Sequence, residues 1–426
     1  MTMAADKQDK VLNFSSEREQ SGACSSSAER ENDQGKNFLN VPTLRFPEFS
    51  GEWVKDRIRN LFTMSVGGDI DKANVSSIQT DKFKYPVIAN ALSNDGIYGY
   101  TSEYKDDFPS ITVTGRGDVG FAKYRDYPLF PIVRLLVLHS KGKIDCRFGE
   151  HAINCIKKYE ESTGVPQLTA PQLGAYSISY PKLTEQAKIG AFLKLIDDRI
   201  STQIRIIDKL KSLMQGLNNE LMDNPKWAKV YVGDFMEFFS TNSLSWDQLS
   251  YDKGQVRNLH YGLIHSGLPT LVDCQKVQLP YIQEGSLPKQ YVICKDGDVA
   301  FADASEDTAE VGKAVELTNI DNQDIICGLH TVHGRDVKNM TIVGFKGFAF
   351  NSKYFHDQLR RIAQGSKVYS INTENVKSCQ LYIPSIAEQQ KIVGLLRCMQ
   401  DKIDVVEQEL RQYEIQKQFL LKGMFI

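Results

Sequence analysis

Apolar residues recur at seven-residue steps in two long stretches of the chain. In the first, Ile189, Ile196, Leu210 and Leu217 form one series, and Leu193, Ile200, Ile207 and Met214 form another. In the second, Ile392, Met399, Val406, Tyr413 and Leu420 match the first series, and Leu396, Ile403 and Leu410 match the second. A three–four alternation held for about five heptads predicts a coiled-coil seam rather than the apolar face of an ordinary surface helix. Gln203 and Lys417 interrupt the stripe, either fixing register or sitting at its edge. Ahead of each helix lie short strand-like runs such as YPVIAN, SITVT, PIVRLLVLH, QYVICK and KNMTIVGF, punctuated by Gly, Asp and Asn. They predict two mixed α+β globules. Residues 1–40 are polar and small, lack apolar periodicity, and are expected to be a disordered tail.

The chain is one unit written twice. PKLTEQAKIGAFLKLIDDRI starts at 181 and PSIAEQQKIVGLLRCMQDKI at 384, an offset of 203 (384 − 181) at which Pro, Glu-Gln, Lys-Ile, Leu, Asp and Ile coincide. Pro181 and Pro384 are read as opening each helix, where a missing amide hydrogen costs nothing, with Glu185 and Glu388 in the first turn. GEWVKDRIRNLF around Trp53 echoes PKWAKVYVGDFM around Trp227, Ile58 and Leu61 falling opposite Val232 and Phe235. GDVGFAK at 117–123 echoes GDVAFAD at 297–303. The predicted order is tail 1–40, globule 41–180, helix 181–223, globule 224–383 and helix 384–426.

Gly115, Gly117 and Gly120 have the G-x-G-x-x-G spacing of a dinucleotide cradle. That cradle needs a helix opening at the third glycine, whereas FAKYRDYPLFP with Pro128 and Pro131 follows. The two copies share only G-D-V-x-F-A, read as a tight turn in a duplicated hairpin. Composition narrows the field further. Formal net charge is −2, so any nucleic-acid surface is local rather than a general polyelectrolyte face. No apolar run is long enough for a membrane span and no secretory signal leads the chain, which predicts a cytoplasmic protein. Eight cysteines contain no C-x-x-C pair, and His330 and His333 in HTVH, without a partner cysteine or helix context, read as loop or sheet residues, so no metal is expected.

VPTLRFPEFSGEW leading into the first globule, the EQ-x-KI helix repeated after each globule, and the C-terminal QKQFLLKGMF resemble the specificity subunit of type I restriction–modification systems. The resemblance runs from Val41 to Ile426. NLHYGLIHSG, GDVAFADASEDTAEVGKAVE and GLHTV are similar to one type of target-recognition domain in that family, and NALSNDGIYGYTSEY with ITVTGRGDVGFAKY to another. The resemblance implies a non-catalytic subunit whose two target-recognition domains each read half of a bipartite, asymmetric double-stranded DNA site. Two long helices would form an antiparallel coiled coil that sets the spacing and docks two adenine methyltransferase subunits. Restriction/translocase subunits join such complexes in some systems, whereas related non-translocating enzymes cut close to their site. S-adenosylmethionine belongs to the methyltransferase, and no cofactor is expected here. Antiparallel pairing of duplicated helices gives one chain an internal pseudo-two-fold axis, so identical partners can bind equivalently. A 40-residue helix spans about 60 Å, one to two duplex turns.

Base edges and phosphates are best met by Arg, Lys, Asn, Gln, Tyr and His. The residues expected to touch DNA are Tyr98, Tyr100, Arg116, Lys123, Tyr124 and Arg125 in the first globule, and His260, Tyr261, His265, Arg335 and Lys367 in the second. Helix pairing and partner docking are expected of Ile189, Leu193, Ile196, Ile200, Ile207, Leu210, Ile392, Leu396, Met399, Ile403, Val406 and Leu410. Each polar candidate could instead be a solvated charge or a half-buried aromatic. Two other functions compete. Asn224-Pro225-Lys226-Trp227 resembles the motif with which adenine methyltransferases hold a flipped base, but its third position is lysine and no cofactor loop accompanies it. A coiled-coil scaffold would need no divergence between its two globules.

Overall fold

The structure, a computed structural model, describes residues 40–156, 167–307, 310–365 and 367–426. The tail expected at 1–40 lies outside them except for Asn40, whose side-chain amide donates to the Trp53 carbonyl. The chain divides into two compact units, residues 40–204 with 408–426 and residues 205–407.

In the N-terminal unit, β1 (Val54–Arg57) runs antiparallel to β9 (Ser177–Tyr180). A single helical turn follows, α1 (Ile58–Leu61), because Ile58 and Leu61, three apart, both turn fully into the core. Next come β2 (Phe62–Val66), β3 (Tyr85–Ile88), β4 (Ile97–Thr101), β5 (Ser110–Val113), β6 (Ala122–Arg125), β7 (Phe130–Pro131) and β8 (Leu136–Ser140). They form two sheets, ordered β2-β8-β5-β6 and β4-β3-β7. Helices α2 (Cys146–Asn154) and α3 (Ala170–Ala175) precede β9, and α4 (Leu183–Met222) follows it.

The second unit repeats this plan. β10 (Ala228–Tyr231), the one-turn α5 (Val232–Phe235) and β11 (Met236–Phe239) lead into β12 (Leu249–Ser250), β13 (Val256–Leu259), α6 (Tyr261–His265), β14 (Leu271–Asp273) and β15 (Tyr281–Ile282). β16 (Val299–Ala302), β17 (Ala304–Ser305), β18 (Ala314–Thr318), β19 (Asp324–Cys327) and β20 (Thr331–Asp336) complete the sheets apart from two late strands. Helices α7 (Phe345–Phe350), α8 (Lys353–Ile362) and α9 (Thr373–Ser378) alternate with β21 (Tyr369–Ser370) and β22 (Gln380–Ile383), and α10 (Ile386–Met424) ends the plan. The sheet order β11-β20-β16-β18-β14 reproduces β2-β8-β5-β6 with β14 added, and β12-β15-β13-β19 reproduces β4-β3-β7 with β12 added. The units match down to single hydrogen bonds. Ile58 N donates to Tyr176 O and Val232 N to Cys379 O, each at 2.9 Å.

Strand pairing corrects one reading of the repeat. Gly117-Asp118-Val119 lies between β5 and β6, whereas Gly297-Asp298 enters β16, the counterpart of β5. The hairpin is duplicated, but the two G-D-V segments are not equivalent. The true counterparts are Val119-Gly120 and Val311-Gly312: both glycines hold a positive φ, +84° and +77°, and the strand that follows each opens on a paired alanine, Ala122 or Ala314. Pairing across the sheet, not local similarity of sequence, sets this register.

The Glu-Gln of the repeated helix motif has a structural reason. Gln186, fully buried, accepts from Asp145 N at 2.9 Å and donates to Lys143 O and Pro181 O at 3.0 and 2.8 Å. Gln389 does the same with Ile342 N, Met340 O and Pro384 O at 2.9, 2.9 and 3.0 Å. Each glutamine thus satisfies three buried backbone groups and locks a helix start to a loop of its own globule. The prolines stand two residues before the first helical residue and act through their carbonyls rather than as first-turn residues. Glu185 is held by Arg45 in a two-pronged ion pair, and Glu388 caps Ser385.

Within each unit, segments of the two long helices run antiparallel. In the N-terminal unit Asp197 meets Lys417 at 2.5 Å, Arg199 meets Tyr413 at 3.1 Å, and Gln203 meets Glu409 at 3.1 Å. The polar interruptions of the stripe are therefore cross-helix partners. In the second unit Lys211 meets Glu407 at 2.7 Å. Ile189, Leu193, Ile196, Ile207, Ile392, Leu396, Ile403 and Val406 are buried, and Ile200, Leu210, Met399 and Leu410 half-buried. No helix among the described residues is long and apolar enough to cross a membrane.

Candidate nucleic-acid interface

In the N-terminal unit the candidate residues divide by role. The β5–β6 loop is braced by Thr114, whose hydroxyl donates to Asp118 O and accepts from Phe121 N at 2.9 Å, while Gly120 N donates to Thr114 O at 2.7 Å. Gly115 N is anchored on Asn90 Oδ1 at 2.7 Å. A Cβ at Gly115 would meet Arg134 O at 2.8 Å, so the tight approach requires glycine for packing and not for a phosphate. At the tip of this rigid loop sits Arg116, half-buried, with Nε lacking a hydrogen-bond partner. Phe121 is exposed beside Lys123, which pairs with Asp95 at 3.1 Å. Tyr98 on β4 is exposed, whereas Tyr100 on the same strand is half-buried and fixed by paired backbone bonds to Ser76.

Arg125 and Tyr124 are placed inward. Arg125, 4% exposed, donates to Thr112 Oγ1, Tyr127 Oη and Asp95 O at 3.1, 2.8 and 2.9 Å. It clamps β6 to the turn in which Asn94 and Asp95 adopt left-handed backbone, and that turn leads directly into Tyr98. Tyr124 packs on the core under the Arg147 guanidinium, 5.3 Å from its ring, and burial raises its pKa.

One feature carries no sequence signal. Val133 and Arg134, consecutive, hold φ of +50° and +63° between β7 and β8. Such strain persists where surroundings over-determine it and clusters at functional sites. Here Arg134 N and Leu135 N are tied to Gly67 O and Ile132 O, and the Arg134 side chain reaches Gln167 at 3.0 Å, next to the Arg116 loop. Arg134 therefore joins Tyr98, Arg116 and Lys123 as a basic or aromatic group carried on a fixed turn or strand.

In the second unit His260, Tyr261 and His265 come together around α6. His260 is buried and accepts from Gly262 N at 3.1 Å through Nδ1, which caps the helix. Its ring lies between Trp246 and Tyr261, at 4.4 and 4.7 Å. Burial, then His330, pushes its pKa down to about 4, so it is a neutral ring and Nε2 has no partner. Tyr261 meets His265 and His330 edge-on at 5.9 and 5.1 Å. His265 Nε2 bonds Ala304 O at 2.9 Å, and His330 Nδ1 meets Asp303 at 3.1 Å from a left-handed backbone, φ +54°. Burial raises the Asp303 carboxyl. This is a half-open shelf of rings with imidazole edges at its rim, suited to stacking and to hydrogen bonds with phosphates or base edges.

The acidic segment 305–310 lies partly outside the described residues. Its Glu310 pairs with Lys313 at 2.9 Å and stands 4.0 Å from His265. Lys367 is exposed in the loop before β21. Arg335 belongs elsewhere: its guanidinium grips Asp298 at 2.7 and 2.6 Å, lies over Phe239 and donates to Ile293 O. Burial would raise the Asp298 carboxyl, but Arg335 and His333 hold it below the usual range. A cleft of about 380 Å³ in the same unit, lined by Lys253, Gln255, Gln283 and Glu284, brings together polar groups that the sequence reading passed over.

Residues 50–212 match the family model for the type I restriction modification DNA specificity domain. A Mycoplasma pneumoniae protein provisionally named a type I specificity subunit is 34% identical over 172 residues, 39% of this chain and 51% of that one. A second from the same organism is 33% identical over 131 residues, 30% of this chain and 35% of its own length. The chain thus spans about half or less of these relatives. The fold is that of the crystal structure of a type I restriction–modification S subunit from M. genitalium, with a TM-score of 0.59 at 15% identity over 91% of this chain and 99% of the other. A structure described in work on type I complex assembly and conformational transition gives 0.51 at 13% identity, covering 87% and 96%.

Proposed function

We propose that the chain is a type I restriction–modification specificity subunit, the non-catalytic DNA reader of such a complex, a reading supported by the family match over residues 50–212 and by the shared fold. Each unit reads one half of a bipartite, asymmetric site. The long helices set the spacing and dock two adenine methyltransferase subunits, which carry S-adenosylmethionine, while this chain needs no cofactor for reading. Restriction/translocase subunits are further partners of the assembled complex.

The observation that carries this reading is a scaffold whose shared strand order is repeated under unlike surfaces. A braced basic loop and exposed tyrosine mark one unit, and a histidine–tyrosine shelf marks the other. Two unlike readers on one frame suit an asymmetric site, whereas equivalent helix segments suit two identical partners. In cells expressing this chain with its methyltransferase, single-base mapping is expected to show N6-methyladenine at one split motif that vanishes when this chain alone is deleted. Inserting one helical turn of four residues between Gln203 and Leu213 is expected to change the tolerated spacer and leave both half-sites intact. Methylation unaffected by the deletion refutes the reader; an unchanged spacer refutes the ruler.

A further inference from the structure

The second unit buries two thiols and an imidazole against one another. Cys294, Cys327 and His333 are 2%, 3% and 1% exposed, and one donor atom from each lies within 4.8 Å of the other two. The two sulfurs are 3.6 Å apart. A disulfide needs about 2.05 Å, whereas two thiolates on a tetrahedral zinc with bonds of about 2.3 Å stand about 3.8 Å apart. We propose that these three residues bind a divalent thiophilic metal ion of the zinc type.

Three further features support the assignment. The ring is held as a metal-bound imidazole usually is: Nε2 meets Asp298 Oδ2 at 2.8 Å, leaving Nδ1 for the sulfur side. Asp298 is itself fixed by Arg335 and by Lys295 N at 2.9 Å. The donors also sit on a rigid frame, since Cys327 ends β19, His333 lies within β20, and Cys294 N bonds Ile325 O at 2.8 Å. Finally, the charges balance. Binding releases two thiol protons to solvent, together with the Nδ1 proton where the ring carries one, and two thiolates neutralise a divalent ion in a site too buried to hold net charge. Three protein donors leave the fourth position to a water. The ion would join three segments that the chain brings together from 33 and 39 residues apart. This inference concerns the second unit's own framework and stands apart from the DNA-reading proposal.

The test uses the full chain purified under reducing conditions. Elemental analysis is expected to find one zinc per chain, and cobalt added to the metal-free chain is expected to give thiolate charge-transfer absorption. That absorption should be lost in Cys294→Ser and Cys327→Ser and kept in Cys379→Ala. Asp298→Asn should weaken the metal about 10- to 100-fold. Because the serine variants could misfold, zinc is also tested on the wild-type chain for slowing alkylation of Cys294 and Cys327. A folded wild-type chain without metal, cobalt-thiolate absorption or zinc protection overturns the proposal, as does a Cys294–Cys327 disulfide under these conditions.

Discussion

Truncating Phe425 to alanine will lower the unfolding free energy of the N-terminal unit by about 3–5 kcal/mol. Phe425 stands near the end of the chain, yet its ring stacks on Phe148 at 5.2 Å and meets Trp53 edge-on at 6.4 Å, in the same core as Met424, Ile189 and Leu193. The final turn is also tied down by Leu44 N, which donates to Gly423 O at 2.8 Å. Removing the ring leaves a cavity bounded by sheet, helix and this anchored segment, none of which can collapse freely. Denaturant unfolding followed by Trp53 fluorescence, with Trp227 and Trp246 replaced by phenylalanine, reads this unit directly. A loss under about 1 kcal/mol would mean that the final turn merely covers the core. Methylation by the assembled complex should fall in parallel, since the proposed reader depends on the fold of this unit.

Replacing Lys346 by methionine will cost the second unit about 3–5 kcal/mol at neutral pH. Lys346 Nζ lies 3.0 Å from Glu316 Oε1, with both side chains at most 3% exposed, and also donates to Thr341 Oγ1 at 3.1 Å. Glu316 accepts from Gly344 N and Gly347 N at 2.9 and 2.7 Å, which fixes the start of α7. Burial raises the Glu316 carboxyl despite the pull of the ammonium and the two amides. Without Lys346 the carboxylate becomes a buried, uncompensated charge. The sign with pH follows: a raised acid loses stability as pH rises, so the deficit is full at neutral pH and shrinks as pH falls toward the ordinary carboxylate range, where Glu316 holds its proton. Adding Glu316→Gln should recover part of the loss, because the neutral amide removes the uncompensated charge while its single oxygen still accepts from one of the two glycine amides. Equal destabilisation at pH 7 and near pH 4.5 would show that lost packing, not the charge, sets the cost.

The sequence by itself determined the duplication, the two long helices, the seam positions and the mixed α+β character, because heptad spacing and a 20-residue repeat are local properties of the chain. It located Tyr98, Arg116, Lys123, Tyr261 and His265 on the framework without telling them apart from Arg125, His260 and Arg335, which carry the same polar chemistry. Only the tertiary structure separated them. Asp95, Trp246 and Asp298 lie far along the chain from the groups they engage, and burial beside such a partner turns a potential DNA contact into a brace, a cap or a clamp. The same holds for the paired glutamines, whose partners lie 41 and 47 residues away. The two G-D-V segments look equivalent in sequence, yet hydrogen bonding across the sheet assigns them to different strands. Cys294, Cys327 and His333 form no motif along the chain because their proximity comes from strand pairing. Periodicity is written in neighbouring residues, whereas burial, ion pairing and donor geometry arise when distant segments meet.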